Sequence, residues 1–486
     1  MMHRSSWIRL PVVCLTLLGL VTSGWADNVQ LPDLGDQSAT VITPIQERKL
    51  GENVMREARR RMTFVTDPEI NDYIRRLGQR LVAASDTPQQ DFRFYVVQDR
   101  SINAFAVPGG FVTVHAGLLL ATQSEAELAS VMAHEIAHVT QRHIPRMIAD
   151  AQRTTLPALA AVLAAVLLGA SGNQGGDAAI ALTTATVAQR ELNFTRAFEE
   201  EADRLGMQTL ARANFDPRAM PAFFEQMQNL NRLNETSLPE FLRTHPVTTN
   251  RIADSRNRAE QYPYRQTPDS SEFHRVRAKI RALGAAEPSE AVRAFRSNLA
   301  QGKYRDADAE RYGYVIALTR ARQFDAARTE AQKLIEQRPD VPTYRIAQAE
   351  IESAAGRHDA AATMLAEARK KFPSYQPLRR AHAEALLRIG RAREARDLLR
   401  QAIRQEPQEP ALYNLLAQAA GESGARIEAH QARAEAQYLS GNPDAAIEQL
   451  QLAAKLVRDN FYLQSSIEAR IGAIRDEIAL YREGKK

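Results

Sequence analysis

Between Thr43 and Ser85 the apolar residues fall at helical spacing, first as Ile45, Leu50, Val54 and Met55 and then as Ile70, Tyr73, Ile74, Leu77 and Leu81. This predicts two helices, with Asp67-Pro68 starting the second. Phe92 to Val97 changes to aromatic and β-branched residues, and Asn103 to His115 repeats that character on both sides of Pro108-Gly109-Gly110. Three short strands are expected, the last two joined through the Pro-Gly-Gly turn. Ser124, with Glu127 three residues on, opens a helix expected to run through His143. Leu156 to Ala170 is an apolar, Ala- and Leu-rich stretch ending in the Gly-rich segment from Ser171 to Gly176. At about 15 residues it is shorter than the roughly 20 a spanning helix needs, so a buried or membrane-touching helix is expected. Another helix is expected from about Val187 to Ala213.

The second half carries a repeat. Pro339, Pro373 and Pro407 are spaced by 34, as are Gly356, Gly390 and Gly424, and Ala327, Ala361, Ala395 and Ala429 keep the same period. A period of this length reads as helix-turn-helix units stacked into a solenoid, with a small residue where two helices cross closely and Pro ending the second helix. Over roughly residues 290 to 460 it resembles tetratricopeptide repeats, although the large residues usual in the first helix are only partly present. The register shifts at Gly441-Asn442-Pro443-Asp444, half a repeat after Gly424. Residues 265 to 290 are polar, with one helical pattern around Val276 to Leu283. They divide the chain into a domain at 27–265, a linker at 266–289 and a repeat domain at 290–486.

Composition narrows the class. With 486 residues, 44% apolar and 25% charged, disorder, collagen and a multi-pass membrane protein are excluded. A net charge of +5 with interleaved signs argues against nucleic acid. Met1 to Ala26 holds Arg4 and Arg9, an apolar run from Leu10 to Val21, and small residues at Ser23-Gly24 and Ala26, which reads as a signal peptide cleaved near Ala26. An uncleaved anchor is the alternative, weakened by the shortness of the run. Cys14, the one cysteine, lies inside the segment to be removed. An exported chain without disulfides must be held by core burial, metal or both, and bacterial periplasm fits.

The candidate chemistry lies in His134-Glu135-Ile136-Ala137-His138. Two His at i and i+4 share a helical face, so both imidazoles can bind one zinc while Glu135 leans toward its open side as acid/base. Val131-Met132-Ala133 and Ile136-Ala137 are small or apolar, as in a buried helix, where unliganded His and Glu would be costly. A third ligand is offered by Glu199, with Asp203 one turn on to orient a ligand. A solvated acidic face is the other reading of Glu199-Glu200-Glu201.

These residues resemble the M48 family of zinc metallopeptidases, which pairs a His-Glu-x-x-His helix with a later Glu-x-x-x-Asp helix. Asn103-Ala104-Phe105-Ala106 with Pro108-Gly109-Gly110, and His245-Pro246 followed by Arg251, extend the match. The resemblance implies a mainly α fold: a zincin-like metallopeptidase domain with a small β-sheet, then an α-solenoid of tetratricopeptide-like repeats. It implies one Zn2+ per chain on His134, His138 and Glu199, catalysis by Glu135 with support from Asp203, and an edge strand at Asn103, Ala104, Phe105 and Ala106 that pairs with extended substrate. His245 would be a regulatory fourth ligand that closes zinc's open position. A loop His stacked before Pro is the alternative, and His115 and His143 stay outside the site.

With the repeats and signal peptide, the implied role is a periplasmic endopeptidase with chaperone character. Its clients would be misfolded or stalled outer-membrane β-barrel proteins, and its partner the barrel-assembly complex, met through the repeats. A non-proteolytic scaffold with a structural metal is the competing class, and the Glu135 position speaks weakly for an enzyme. A membrane-embedded peptidase would need Leu156 to Ala170 to span.

Overall fold

Thr43 opens the first helix with a capping box: its hydroxyl accepts from the Gln46 amide, and Gln46 Oε1 accepts the Thr43 N–H at 2.9 Å. The computed structural model describes residues 42–150, 196–233, 239–265 and 267–483. The signal-peptide reading with Cys14, the stretch Leu156 to Ala170, and residues 187–195 lie outside these. Among the described residues, no helix is long and apolar enough to cross a membrane.

Helices α1 (Pro44–Arg61) and α2 (Pro68–Ala84) precede strands β1 (Arg93–Val97), β2 (Ala104–Val107) and β3 (Phe111–His115). Asp67 caps α2 by accepting from the Glu69 and Ile70 amides. The sheet has the order β1-β3-β2, with β1 parallel and β2 antiparallel to β3, so β2 is an edge strand. After α3 (Ala116–Ala121) comes α4 (Glu125–Thr140), buried from Glu125 to Val139 and packed against α2 and the sheet. The expected continuation to His143 does not form. Arg142 takes φ of 51°, which breaks the helix before α5 (His143–Asp150) begins on a new axis.

Around α4 stand α6 (Arg196–Arg212), α7 (Ala219–Leu233), the short α8 (Glu240–Thr244), α9 (Thr249–Glu260) and α10 (Ser271–Gly284). The last lies in the segment read as linker and packs both ways: Phe273, Val276 and Ile280 of α10 belong to the same apolar core as Leu128 and Met132 of α4, whereas Ala278 and Ala282 belong to that of Tyr312 and Leu318 in the repeats.

Eleven helices follow among the described residues: α11 (Pro288–Gln301), α12 (Ala307–Arg320), α13 (Phe324–Gln337), α14 (Pro342–Ala354), α15 (His358–Lys371), α16 (Gln376–Arg388), α17 (Ala392–Gln405), α18 (Pro410–Glu422), α19 (Arg426–Leu439), α20 (Pro443–Leu456) and α21 (Phe461–Glu483). Each packs on its neighbour, as a solenoid requires. Pro339, Pro373 and Pro407 stand just past α13, α15 and α17, as expected. The periodic glycines have a different cause from the one expected. Gly356, Gly390 and Gly424 have φ of 83°, 75° and 81°, and an added Cβ would meet nothing within 4 Å. They serve a left-handed turn, and the tight crossings fall to Ala327, Ala361 and Ala395, each 1% exposed or less.

The solenoid is bonded back onto the first domain. Glu69, 4% exposed, accepts from Lys279 and from Tyr312 Oη at 2.8 Å and Tyr375 Oη at 3.3 Å. Lys279 Nζ also stands 2.7 Å from Asp67. Burial opposes its charge, but the two carboxylates hold the Lys279 ammonium well above its ordinary pKa. At the far end Arg56 bonds Tyr438 Oη at 2.8 Å, and Arg59 donates to Leu439 O at 2.9 Å and Gln408 O at 3.0 Å. Glu69→Leu should therefore cost about 3 kcal/mol, because it leaves a buried ammonium short of one partner. Urea unfolding measures this, and an unchanged midpoint would mean that the solenoid docks by other contacts.

Candidate metal centre

Helix α6 approaches α4 closely because residue 206 is glycine: a Cβ there would lie 3.1 Å from the His134 amide nitrogen and 3.2 Å from its Cα. One turn earlier on α6 is Asp203, and a turn before that Glu199, so the close crossing sets both carboxylates against the His-Glu-x-x-His face. His134, Glu135, His138, Glu199, Asp203 and His245 are all at most 4% exposed.

Four side chains converge. His134 Nε2 lies 3.0 Å from His138 Nε2 and 3.3 Å from His245 Nδ1. Glu199 oxygens stand 3.5 Å from His134 Nε2, 3.4 Å from His138 Nε2 and 3.1 Å from His245 Nδ1. A tetrahedral site with arms of about 2.1 Å has edges of about 3.4 Å, so these spacings fit four ligands around one small divalent metal ion. The ligand atoms of His134, His138, Glu199 and His245 all lie within 4.8 Å of one another.

The surrounding bonds orient both helix imidazoles. His134 Nδ1 is 3.0 Å from Asp203 Oδ1, which sets the ring with Nε2 toward His138, Glu199 and His245. His143 Nε2 is 3.1 Å from Glu201 Oε2, and its Nδ1 is 2.8 Å from His138 Nδ1. Burial pushes His143 down to about 4, so it is a neutral ring. It donates to Glu201 and accepts from His138 Nδ1–H, which turns the His138 Nε2 lone pair inward as well. His143 is thus a supporting residue that the sequence reading left out, whereas His115 lies elsewhere, hydrogen-bonded to Ser101.

Charge makes the same demand. Burial pushes the Glu135 carboxyl up, with His245 and His134 opposing. Burial acts likewise on Glu199, but the charge of His245 and bonds from the three histidines hold it well below the carboxylate range. Against burial, Asp203 and Glu199 raise His134 to about 10. Arg251, 2% exposed, forks onto Asp203 with two bonds of 2.8 Å and reaches Glu199 Oε2 and Pro246 O, each also at 2.8 Å. It neutralises one carboxylate; the remaining negative charge calls for a cation among the inward lone pairs, and the donor set of two or three imidazoles and a carboxylate fits a divalent metal.

The edge strand faces this centre. His115 N–H donates to Asn103 O at 3.0 Å, so Asn103, Phe105 and Val107 turn their backbone polar groups toward β3, and Ala104 and Ala106 turn theirs outward. Helix α4 packs against β2, which brings Glu135 to the side of that strand. His143→Leu should keep the fold while lowering metal affinity about 10- to 100-fold, the usual effect of losing a partner behind a ligand. Competition against a chelator checks this, and unchanged affinity would show that His138 needs no such support.

Comparison with known proteins agrees with this geometry. A profile of peptidase family M48 matches residues 68–259, and one of tetratricopeptide repeats matches residues 353–419. The chain is 34% identical to the beta-barrel assembly-enhancing protease of Yersinia pestis over 456 residues, 94% of each chain. It is 34% identical to the protein of that name from Escherichia coli K12 over 342 residues, 70% of each. The mitochondrial metalloendopeptidase OMA1 of Schizosaccharomyces pombe is 33% identical over 180 residues, 37% of this chain and 50% of that one. The chain belongs to peptidase family M48 and is a metallopeptidase with a tetratricopeptide repeat array.

Proposed function

We propose that this metallopeptidase is an exported, periplasmic zinc endopeptidase that acts on outer-membrane β-barrel proteins during their assembly, with a chaperone role carried by the repeats. The observation that carries the catalytic part is the tetrahedral spacing of His134, His138, Glu199 and His245 with Glu135 alongside. The assembly role is supported by the names of the relatives and by the solenoid bonded to the catalytic domain. Location rests on the signal-peptide pattern in Met1 to Ala26.

Bound by His134, His138 and Glu199, zinc would supply Lewis acidity for the scissile carbonyl and an acidified water. The chain's own groups do the rest. Ala104 and Ala106 offer outward N–H and C=O groups for an extended substrate, which gives affinity with little demand on sequence. Glu135 stands beside that strand with a raised pKa, suited to taking a proton from the attacking water and passing it to the leaving amine. Asp203 holds His134 in register and Arg251 holds Asp203.

His245 fills the fourth corner. Its Nδ1 contacts Glu199 and His134 Nε2, and its Nε2 lies 3.4 Å from Glu135 Oε1. In that position it competes with water for the metal and occupies Glu135, so the arrangement is a closed one. Being at the end of a five-residue helix, it can leave without dismantling the ligands on α4 and α6.

The purified chain should hold about one zinc, lost in His134→Ala or His138→Ala, and Glu135→Gln should keep zinc while casein cleavage falls on the order of 100-fold or more. Unaltered cleavage would move the chain to a scaffold role. His245→Ala should keep zinc and cleave faster than the parent. A rate equal to or below the parent at matched zinc content would show that His245 serves the open site rather than closing it.

A further inference from the structure

Glu47 stands in the first turn of α1, where a helix usually meets water, and yet it is only 5% exposed. A carboxylate in such a place needs partners, and two of them come from distant parts of the chain. Its Oε2 accepts from Arg142 Nε at 3.1 Å, and its Oε1 faces the Gly109 amide at 3.4 Å. Arg142 also donates from Nη2 to Ile42 O at 2.7 Å, just ahead of α1. The side chain of Arg142 is thus tied twice to the start of α1.

The backbone at Arg142 is where such a tie matters. With φ of 51° it lies in the left-handed region, which a residue carrying a Cβ enters at a cost and keeps only when its surroundings fix it. The reward for that turn is the place of His143. Were α4 to continue unbroken, residues 138 and 143 would point about 140° apart around its axis, and their rings could not meet. With the break, His143 Nδ1 lies 2.8 Å from His138 Nδ1 and the two rings cross at 79° with centroids 4.8 Å apart. Beyond the break, α5 is docked on α6. Arg146 donates to Glu201 Oε2 at 2.9 Å, and the His143 ring stacks on Phe198 with centroids 4.6 Å apart. Helix α6 therefore holds the far side of α5, while α1 holds the elbow from which it starts.

We propose that Glu47 and Arg142 are positioning residues for the metal centre: by pinning the elbow between α4 and α5 they keep His143 behind His138 and so strengthen the hold of His138 on the metal. The proposal rests on the reading of His143 as the support of His138. Neither residue is a ligand, and both act through the imidazole that His143 presents. A clamp that served only the fold would change stability and leave metal affinity where it was.

The test uses the full-length, zinc-loaded chain and reads zinc affinity by competition with a chelator, on variants whose circular dichroism matches the parent. Glu47→Ala should weaken zinc binding about tenfold, the lower end of what a lost supporting group costs. Glu47→Gln, whose amide oxygen still accepts from Arg142, should keep the parent affinity. Arg142→Ala is the second variant should Glu47→Ala fail to fold, and it should show the same fall. In a His143→Leu background neither change should add to the loss, because the group being positioned is gone. Equal falls in both backgrounds, or parent affinity in a folded Arg142→Ala chain, would overturn the positioning role while leaving His143 as the support of His138. Parent affinity in His143→Leu alone would overturn the reading beneath it as well.

Discussion

Three carboxylates, Glu135, Glu199 and Asp203, are buried at one helix crossing with a single guanidinium, Arg251. An isolated buried carboxylate costs several kcal/mol, so this core is tolerable only if a cation or protons supply the missing positive charge. The rise of His134 to about 10 is the proton solution, and a divalent metal on the inward lone pairs is the other. Much of the first domain follows from that demand. Helix α4 is buried from Glu125 to Val139, which keeps the charged centre away from water, and Gly206 lets α6 come near enough for its carboxylates to be ligands rather than surface acids.

The ligands divide by how they are held. His134, His138 and Glu199 stand on two long helices packed together, and their rings and oxygens are oriented by Asp203, His143 and Arg251. His245 stands at the end of α8 and is held by stacking and a few hydrogen bonds. The first three keep their geometry whatever the fourth does. Its place on a short helix agrees with the reversible block proposed above, since a partner can move an equilibrium only by the difference in affinity it has for the two states.

The helix-borne centre was legible because it depends on local spacing: i and i+4 on α4, and again on α6, fix which side chains share a face. His143 was not legible, although it stands five residues after His138. Its ring reaches His138 only because Arg142, at φ of 51°, breaks the helix and starts α5 on a new axis, a backbone choice that no periodicity encodes. The glycines of the solenoid were found by their period but read for the wrong reason, because a period of 34 does not say whether a small residue serves a crossing or a left-handed turn. Residues 266–289 read as linker because they are polar, with one helical pattern around Val276 to Leu283; that helix, α10, divides its apolar residues between two cores, which leaves neither face strongly marked in the sequence. Its Lys279 is itself buried, on Asp67 and Glu69.

Helix α1 links the two halves of the molecule in a way that bears on how the solenoid and the site communicate. Its C-terminal half carries Arg56 and Arg59, which bond the last repeats. Its N-terminal half carries Glu47, 3.1 Å from Arg142 just past the catalytic helix, and Arg48, which donates to Gly109 O at 2.6 Å in the turn between β2 and β3. Between them Leu50, Val54 and Met55 pack with Phe105 of the edge strand in one apolar cluster. A helix of 18 residues is about 27 Å long, so α1 alone reaches from the last repeats to the turn that ends β2 and to the residue that follows α4. The solenoid therefore touches the catalytic machinery at two places through one rigid element, while α8 touches the opposite end of the same edge strand.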